Sequence, residues 1–241
     1  MEDTLRGKSN IMKHVIIIGA GGHGAEIDEY ILFNQQHAEG YNFEVIGFLD
    51  DNPDNYARYQ LSAPLLGDVK KHNIISGCSY IIAIASLGYR RQFVEHFLEQ
   101  GAAFVSMIHQ TACISASATI GSGVVIGPHV NIGPNVSVGD FTLLNSRCSM
   151  GHDTIVGRFN IITPNVCFSG FTKVGHGNLF GINSSTIPGT TVGNGNQIAA
   201  GMVLDKDVGD DSVVFYRYKE RVIAVPKADE NIISSHEESA S

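Results

Sequence analysis

The stretch ATIGSGVVIGPHVNIGPNVSVG, residues 118–139, decides the fold because an apolar residue returns at every sixth position. The register continues without a slip through Ile108, Ile114, Ile120, Ile126, Ile132, Val138, Leu144, Met150, Val156, Ile162, Phe168, Val174, Phe180, Thr186, Val192, Ile198 and Leu204, with only Thr186 polar. Neither a helical period near 3.6 residues nor strand alternation produces this spacing. It is typical of a hexapeptide repeat, in which each hexad forms one side of a three-sided coil and the apolar residue points inward.

One such coil cannot bury its apolar edge alone, so coils must stack into a solenoid with a continuous core. Gly, Asn, Ser, Thr and Asp fill many of the remaining positions, which suits corners where some backbones need a positive φ. The repeat predicts a three-sided β-solenoid over residues 108–209. The register stops after Leu204, so residues 210–241 are predicted to be a C-terminal tail.

Composition limits the classes of function. The 241-residue chain has a formal net charge of −8, which argues against nucleic acid as a partner. Residues 1–12 are polar and do not form a signal peptide, and we expect them to be a disordered leader. There is no apolar stretch that could span a bilayer. The four cysteines lack CxxC spacing, so we expect no metal site and a reducing, cytoplasmic location.

A second domain precedes the solenoid. The run His14-Val15-Ile16-Ile17-Ile18 is typical of a buried parallel strand. The pattern then predicts a helix over 25–37, a strand over 43–49, a turn at 52–55, a short helix over 68–74, a strand over 80–85, a helix over 90–100 and a closing strand within 103–107. This alternation predicts a small Rossmann-like parallel α/β domain over residues 13–107.

The loop Gly19-Ala20-Gly21-Gly22-His23-Gly24 fits G-x-G-x-x-G between a strand and a helix. Backbone N–H groups there can meet a phosphate, and Asp50 and Asp51 at the end of the next strand can meet a sugar or base. The domain has room for about one mononucleotide-binding half, which favours a single nucleotide over NAD and disfavours hydride transfer. The alternative is that the glycines only make a tight turn and Asp50 caps a loop.

The segment from Leu144 to Asp153 departs from the Ile-Gly rhythm and contains the candidate catalytic residues. An imidazole can take a proton from an attacking amine or hydroxyl, and a carboxylate can fix its tautomer. His152 and Asp153 fit these roles. Neighbouring side chains on an extended segment point to opposite faces, so their contact requires a corner.

The chain resembles the hexapeptide-repeat sugar acetyltransferases related to the sialic acid O-acetyltransferase and to the N-acetyltransferases of nucleotide-linked 4-amino-6-deoxy sugars. The resemblance covers residues 13–210 and rests on the GAGGHG loop at 19–24, the FLDD segment at 48–51, N-x6-H-D ending at Asp153, Ser169-Gly170 and GINS at 181–184. It implies a left-handed β-helix, acetyl-CoA as co-substrate, no metal, a nucleotide-linked amino sugar as acceptor, and a homotrimer with active sites between subunits. It implies N-acetylation for surface-glycan biosynthesis; O-acetylation of sialic acid is the alternative.

The same resemblance implies roles for individual residues. His152 would be the general base, Asp153 its partner, and Asn145 a ligand of the acceptor amine. The N–H of Gly170 would stabilise the oxyanion. The coenzyme groove would include Ile182, Asn183, Ala200 and Gly201, and the nucleotide-sugar would be bound by Gly21, Gly22, His23, Asp50 and Asp51.

Three departures from the family pattern limit this transfer. Asn160-Ile161 replaces a second histidine, and Ala83-Ile84-Ala85-Ser86 replaces a Gly-Asp or Gly-Asn segment. Near the C-terminus, residues 214–219 replace Gly-x-Pro-Ala-Lys. The sugar and coenzyme contacts made by those segments in relatives are therefore not expected here in the same form.

Rival interpretations remain. His109, His129, His152 and His176 could be recruited to a zinc ion between subunits, although their spacing, about one coil, is unhelpful. Cys148 could accept an acyl group, although a buried inert thiol fits direct transfer better. A non-catalytic nucleotide-binding scaffold would leave Asn145, His152 and Asp153 unexplained.

Overall fold

The computed structural model describes residues 12–216, so residues 1–11 of the predicted leader and residues 217–241 of the predicted tail lie outside them. The first part is a five-stranded parallel sheet in the order β3-β2-β1-β4-β5. Its strands and helices are β1 (Lys13–Ile18), α1 (Gly22–His37), β2 (Phe43–Leu49), α2 (Pro53–Ala57), β3 (Leu65–Gly67), β4 (Ser79–Ile82), α3 (Leu87–Glu99) and β5 (Ala103–Phe104). This is the predicted parallel α/β arrangement.

Several local predictions in this domain were wrong. The segment predicted as a turn at 52–55 begins the short helix α2, with Pro53 at its first position and the Asn52 side chain accepting the Asp54 N–H at 3.0 Å. The segment predicted as a helix over 68–74 is only a 3₁₀ turn, Val69–Lys71. The strand β3 was not predicted, because three residues are too few to show an alternation.

The second part is the solenoid, whose strands are each two residues long and pair in parallel with the strand 18 residues later along most of its length. Three sheets form its three faces. The first face contains β6 (Met107–Ile108), β9 (Val125–Ile126), β12 (Leu143–Leu144), β15 (Ile161–Ile162), β18 (Leu179–Phe180), β21 (Gln197–Ile198) and β23 (Val213–Val214). The second face contains β7 (Cys113–Ile114), β10 (Asn131–Ile132), β13 (Ser149–Met150), β16 (Cys167–Phe168), β19 (Ser185–Thr186) and β22 (Val203–Leu204). The third face contains β8 (Thr119–Ile120), β11 (Ser137–Val138), β14 (Ile155–Val156), β17 (Lys173–Val174) and β20 (Thr191–Val192).

The solenoid extends past both predicted limits. Met107 begins its first strand, one residue before the predicted boundary. At the other end Val213–Val214 pairs with β21, and Val208 bridges Val192. This last coil is shorter than the others, since it advances 16 residues from Gln197 to Val213, and the period-six pattern therefore misses it.

The interior contains a second column of residues that the repeat did not reveal. From Val124 to Met202 the residue two positions before each inward residue is also buried, apolar in some coils and polar in others, as in Val166, Asn178 and Asn196. Glycines that follow the inward residue allow close contact between coils; a Cβ on Gly151 would lie 2.6 Å from the Gly170 nitrogen. The positive φ is found instead at the corners, mostly in residues other than glycine.

The α/β domain packs against the first face of the solenoid. Met107, Val125, Leu143 and Ile161 on that face form one apolar cluster with side chains of β1, α1 and β4. The buried Arg90 on α3 joins the two parts, because its Nε donates to the carbonyl of Phe141 at 2.9 Å and its Nη1 to that of Ile82 at 3.0 Å. Burial lowers the Arg90 pKa to about 9.

Candidate active site

His152 and Asp153 lie in the turn between the second and third faces, the His152 corner (residues 151–154 and their equivalents in neighbouring coils). His152 Nδ1 and Asp153 Oδ2 are 2.8 Å apart. The contact is made because Asp153 has a φ of 58°, which breaks the alternation of an extended segment. With Nδ1 held by the carboxylate, Nε2 is left to accept a proton.

The carboxylate of Asp153 is favoured in its ionised form. Hydrogen bonds from His152 and then from Asn135 hold the pKa of Asp153 below its ordinary value. An ionised Asp153 accepts hydrogen bonds only, so it selects the His152 tautomer that carries its proton on Nδ1. This is the arrangement that a general base requires.

Gly170 lies one coil further along, directly beside the imidazole. A Cβ on Gly170 would be 2.8 Å from both Cε1 and Nε2 of His152, so only glycine leaves the ring its position. Within residues 12–216 the Gly170 N–H donates no hydrogen bond to a backbone carbonyl. The predicted oxyanion donor is thus next to the nitrogen that would accept the proton, although its role stays a prediction.

Two neighbours of this pair were not predicted from the sequence. Phe171, 56% exposed, meets the His152 ring edge to face with centroids 4.9 Å apart. Asn135 Nδ2 donates to Asp153 Oδ1 at 3.1 Å. Asn135 lies 18 residues before Asp153 and Phe171 lies 18 residues after it, which is one coil in each direction. Stacking three hexads per coil would therefore have predicted both neighbours.

Asn145 is at a different corner, between the first and second faces, which we call the Asn145 corner (residues 145–148 and their equivalents). Its Oδ1 accepts the N–H of Ser146 at 2.7 Å. One full side of the triangle, strand β13, separates it from His152. A single chain therefore does not bring the predicted amine ligand to the predicted base.

The predicted coenzyme residues are divided in the same way. Ile182 and Asn183 lie in the Asn145 corner, and the Gly201 N–H above them donates to the Ile182 carbonyl at 2.8 Å. Ala200 precedes Gly201 in the same turn. Gly170 belongs to the His152 corner instead. In one chain these residues form two separate surfaces.

The nucleotide loop has the geometry of a strand-to-helix turn. Gly19 has a φ of 108°, and a Cβ on Gly24 would lie 2.2 Å from the Gly19 carbonyl oxygen, so these two glycines are required by the packing of the loop. Gly21 precedes α1 and faces open space, and a Cβ on Gly22 would meet only the Tyr59 hydroxyl, at 3.1 Å. Gly21 and Gly22 therefore leave the approach to the helix N-terminus open.

His23, 13% exposed in its side chain, pairs through Nδ1 with Glu26 at 3.1 Å. Its Nε2 is buried and has no partner within residues 12–216.

Asp50 and Asp51 both organise loops. Asp50 accepts the N–H of Ala20 at 2.8 Å through Oδ2, and the N–H of Asn52 at 2.9 Å through Oδ1. Asp51 accepts the N–H of Val69 at 2.8 Å. The alternative in which Asp50 serves the loop is thus realised, and ligand contacts by either carboxylate stay a prediction.

A cavity of about 390 Å³ opens at the carboxyl ends of these strands, and its lining includes Gly19, Asp50, Asp51, Lys70, Ile84 and Tyr89. Lys70 and Tyr89 were not singled out from the sequence.

The rival chemistries find little support in the geometry. Cys148 is 1% exposed, in the second interior column, and burial raises its pKa to about 12, so it does not supply a thiolate nucleophile. His152 and His176 occupy different corners, and His109 is buried against Phe33. Within the part of the chain that the structure describes, no three His, Cys, Asp or Glu residues are grouped as metal ligands. The helices among residues 12–216 include none that could span a bilayer.

The chain is similar to one family of domains and to several solved structures. Residues 14–97 match the PglD N-terminal domain family. The acetyltransferase domain of PglB from Neisseria gonorrhoeae FA1090, solved with acetyl coenzyme A, is 27% identical with a TM-score of 0.74, over 84% of this chain and 96% of that one. PerB from Caulobacter crescentus, solved with CoA and GDP-perosamine, is 25% identical with a TM-score of 0.73, over 84% and 94%. No curated protein sequence matches the chain.

The chain shares the architecture of these solved structures, which are hexapeptide-repeat sugar acetyltransferases. The predicted family resemblance and the predicted fold, an α/β domain followed by a left-handed β-helix, are confirmed by these structures. The prediction of an acetyltransferase with acetyl-CoA as co-substrate is confirmed at the level of the class, since these structures contain acetyl-CoA or CoA.

Proposed function

We propose that this protein transfers the acetyl group of acetyl-CoA to the amine of a nucleotide-linked 4-amino-6-deoxy sugar in the cytoplasm, for surface-glycan biosynthesis. The observation that supports this best is the His152–Asp153 pair at 2.8 Å with Gly170 against the ring. The similarity to PerB, solved with GDP-perosamine, supports a nucleotide-linked amino sugar as the acceptor. O-acetylation of a sugar such as sialic acid is the second candidate, because a hydroxyl can replace the amine in the same step.

In the proposed reaction His152 Nε2 removes the proton of the amine while the amine nitrogen bonds to the thioester carbonyl carbon. Asp153 stabilises the imidazolium that results. The Gly170 N–H donates to the oxygen that becomes negative in the tetrahedral intermediate. When the carbon–sulfur bond breaks, His152 returns the proton to the leaving thiolate, giving the acetamido sugar and CoA.

We further propose that the working enzyme is a homotrimer whose active sites lie between subunits. The α/β domain packs against the first face, and the His152 corner is the vertex opposite that face. A sugar bound by the nucleotide loop of one chain would therefore face away from the His152 of that chain. Placing the His152 corner of one chain against the Asn145 corner of the next would unite Gly170 with Ile182, Asn183, Ala200 and Gly201, and His152 with Asn145.

The test is release of CoA thiol from acetyl-CoA across UDP-, dTDP- and GDP-linked 4-amino-6-deoxy sugars and sialic acids. We expect activity on one nucleotide-linked amino sugar, lowered roughly 10²–10⁴-fold in His152→Ala, the range for loss of a general base, with acetyl-CoA binding retained. Wild-type turnover in that variant would contradict the assignment of the base. Activity on sialic acid alone would favour the second candidate, and a protein that does not bind acetyl-CoA would favour a scaffold.

A further inference from the structure

The polar contacts of the His152 corner continue beyond Asp153 into the preceding coil. Asn135 occupies the same corner position as Asp153, 18 residues earlier, and its Nδ2 lies 3.1 Å from Asp153 Oδ1. The other carboxylate oxygen, Oδ2, faces His152 Nδ1 at 2.8 Å. Each oxygen of Asp153 thus has its own partner.

The backbone fixes Asn135 where this contact can form. Its φ of 57° matches the 58° of Asp153, so the two side chains leave their turns in the same direction, one coil apart. The Asn135 N–H donates to Ser117 Oγ at 3.0 Å, and the Asp153 N–H donates to the Pro134 carbonyl at 2.9 Å. These bonds hold the two turns in register.

The ionised carboxylate of Asp153 determines which group of the Asn135 amide it meets. An ionised carboxylate only accepts hydrogen bonds, so the amide must present its NH₂ group to Asp153, and its oxygen points elsewhere. The direction of donation is therefore Asn135 to Asp153, and from His152 Nδ1 to Asp153. The hydrogen bond to Asn135 restricts rotation of the carboxylate about its last torsion, which is broad for aspartate.

We infer that Asn135 is a positioning residue for catalysis, which acts through Asp153 to hold His152 in the tautomer and orientation of a general base. This inference rests on the proposed function. The corner is open to solvent in one chain, with the Asp153 side chain 36% exposed, and water competes with the contact there. A neighbouring subunit placed against the corner would exclude that water and strengthen the network.

The variant that tests this inference is Asn135→Gly, because glycine adopts a positive φ without strain and removes only the side chain. We expect kcat to fall roughly three- to tenfold, the size of coupling typical within one hydrogen-bond network, with KM for acetyl-CoA unchanged. Asp211→Gly is the matched control: Asp211 also has a positive φ, 51°, but lies at the third corner, far from His152. We expect wild-type kcat in that control.

A double-mutant cycle separates positioning from a structural role. In an Asp153→Asn background, itself expected to lower kcat, Asn135→Gly should change kcat less than twofold, because the group through which it acts is gone. Equal effects of Asn135→Gly on kcat in both backgrounds would overturn the inference. Wild-type kcat in Asn135→Gly alone or in Asp153→Asn alone would also overturn it. If His152→Ala also retained wild-type turnover, the proposed function would fail as well; if only Asn135→Gly were silent, the proposed function would stand.

A second measurement needs no acceptor. In spectra of the protein labelled with ¹⁵N-histidine, His152 should be mainly the Nδ1–H tautomer in the wild type and less so in Asn135→Gly. An unchanged tautomer ratio in Asn135→Gly would overturn the inference.

Discussion

At the scale of single residues, the space around His152 matters as much as its hydrogen bonds. The imidazole is bounded by the Asp153 carboxylate, the edge-on ring of Phe171 and the backbone of Gly170. These three contacts leave only the Nε2 atom of His152 free to meet the acceptor sugar. The side-chain atoms that do the proposed chemistry are therefore few, and a single methyl group can displace them.

Gly170→Ala should test this directly. A Cβ at this position would lie 2.8 Å from Nε2, so the ring has to move, whereas the backbone has no positive φ that alanine would strain. We expect kcat to fall roughly tenfold or more, since a displacement of about 1 Å at a reacting group has effects of that order. The melting temperature should stay close to that of the wild type.

Gly209→Ala is the matched control, because a Cβ there meets nothing within 4 Å. It should behave as the wild type in both assays. Normal kcat in Gly170→Ala would show that the ring position is not critical.

At the scale of secondary-structure elements, the coils are joined by buried polar side chains as well as by strand pairing. Asn160, Asn178 and Asn196 form a fully buried column along the third corner, 18 residues apart. Asn178 Oδ1 accepts the N–H of Asn196 at 2.8 Å, and the N–H of Asn178 donates to Asn160 Oδ1 at 2.8 Å. Each asparagine thus satisfies backbone groups that the two-residue strands leave unpaired.

Removing one member should therefore cost more than a surface truncation. Asn178→Ala leaves the Asn196 N–H buried without its acceptor, at a cost of ~1–3 kcal/mol. It also removes one of two donors to Asn160 Oδ1, which keeps the backbone N–H of residue 178. We expect a clearly lowered melting temperature by calorimetry, while Gln197→Ala, which removes an exposed side chain nearby, should change it little. Equal melting temperatures for the two variants would show that water replaces the lost hydrogen bonds.

At the scale of the whole molecule, the nucleotide loop belongs to the domain that packs on the first face, whereas the His152 corner joins the other two faces. The α/β domain is fixed to the first face by an apolar cluster and by Arg90, whose guanidinium donates across the junction to the Phe141 carbonyl. These contacts hold the domain against the first face. In the proposed mechanism a chain therefore needs a neighbour to complete its site.

Complementation between two inactive variants tests that requirement. Gly21→Asp places a carboxylate where a phosphate would bind, at a position with open space and a φ of −81° that aspartate tolerates. Each of these two variants alone should have a turnover far below that of the wild type. Co-expressed, they should recover a measurable fraction of wild-type turnover, because some interfaces pair an intact loop with an intact His152.

The control is a mixture of separately tagged Gly21→Asp chains, which should stay inactive. An absence of recovery in mixed oligomers verified by both tags would contradict an active site shared between subunits.

The amino-acid sequence by itself determined the solenoid, because apolar residues at every sixth position share one interior when each hexad forms one side of a stacked three-sided coil. It also determined the parallel α/β domain, through β-branched strands and the glycine loop, and it pointed to His152 and Asp153. The tertiary structure alone decided which of those residues meet. Residues 18 apart become neighbours only when coils stack, which placed Asn135 on Asp153 and Gly170 on His152 and set Asn145 at another corner. The local sequence determines the conformation of each turn. Contacts between turns depend on how the three-sided coils stack.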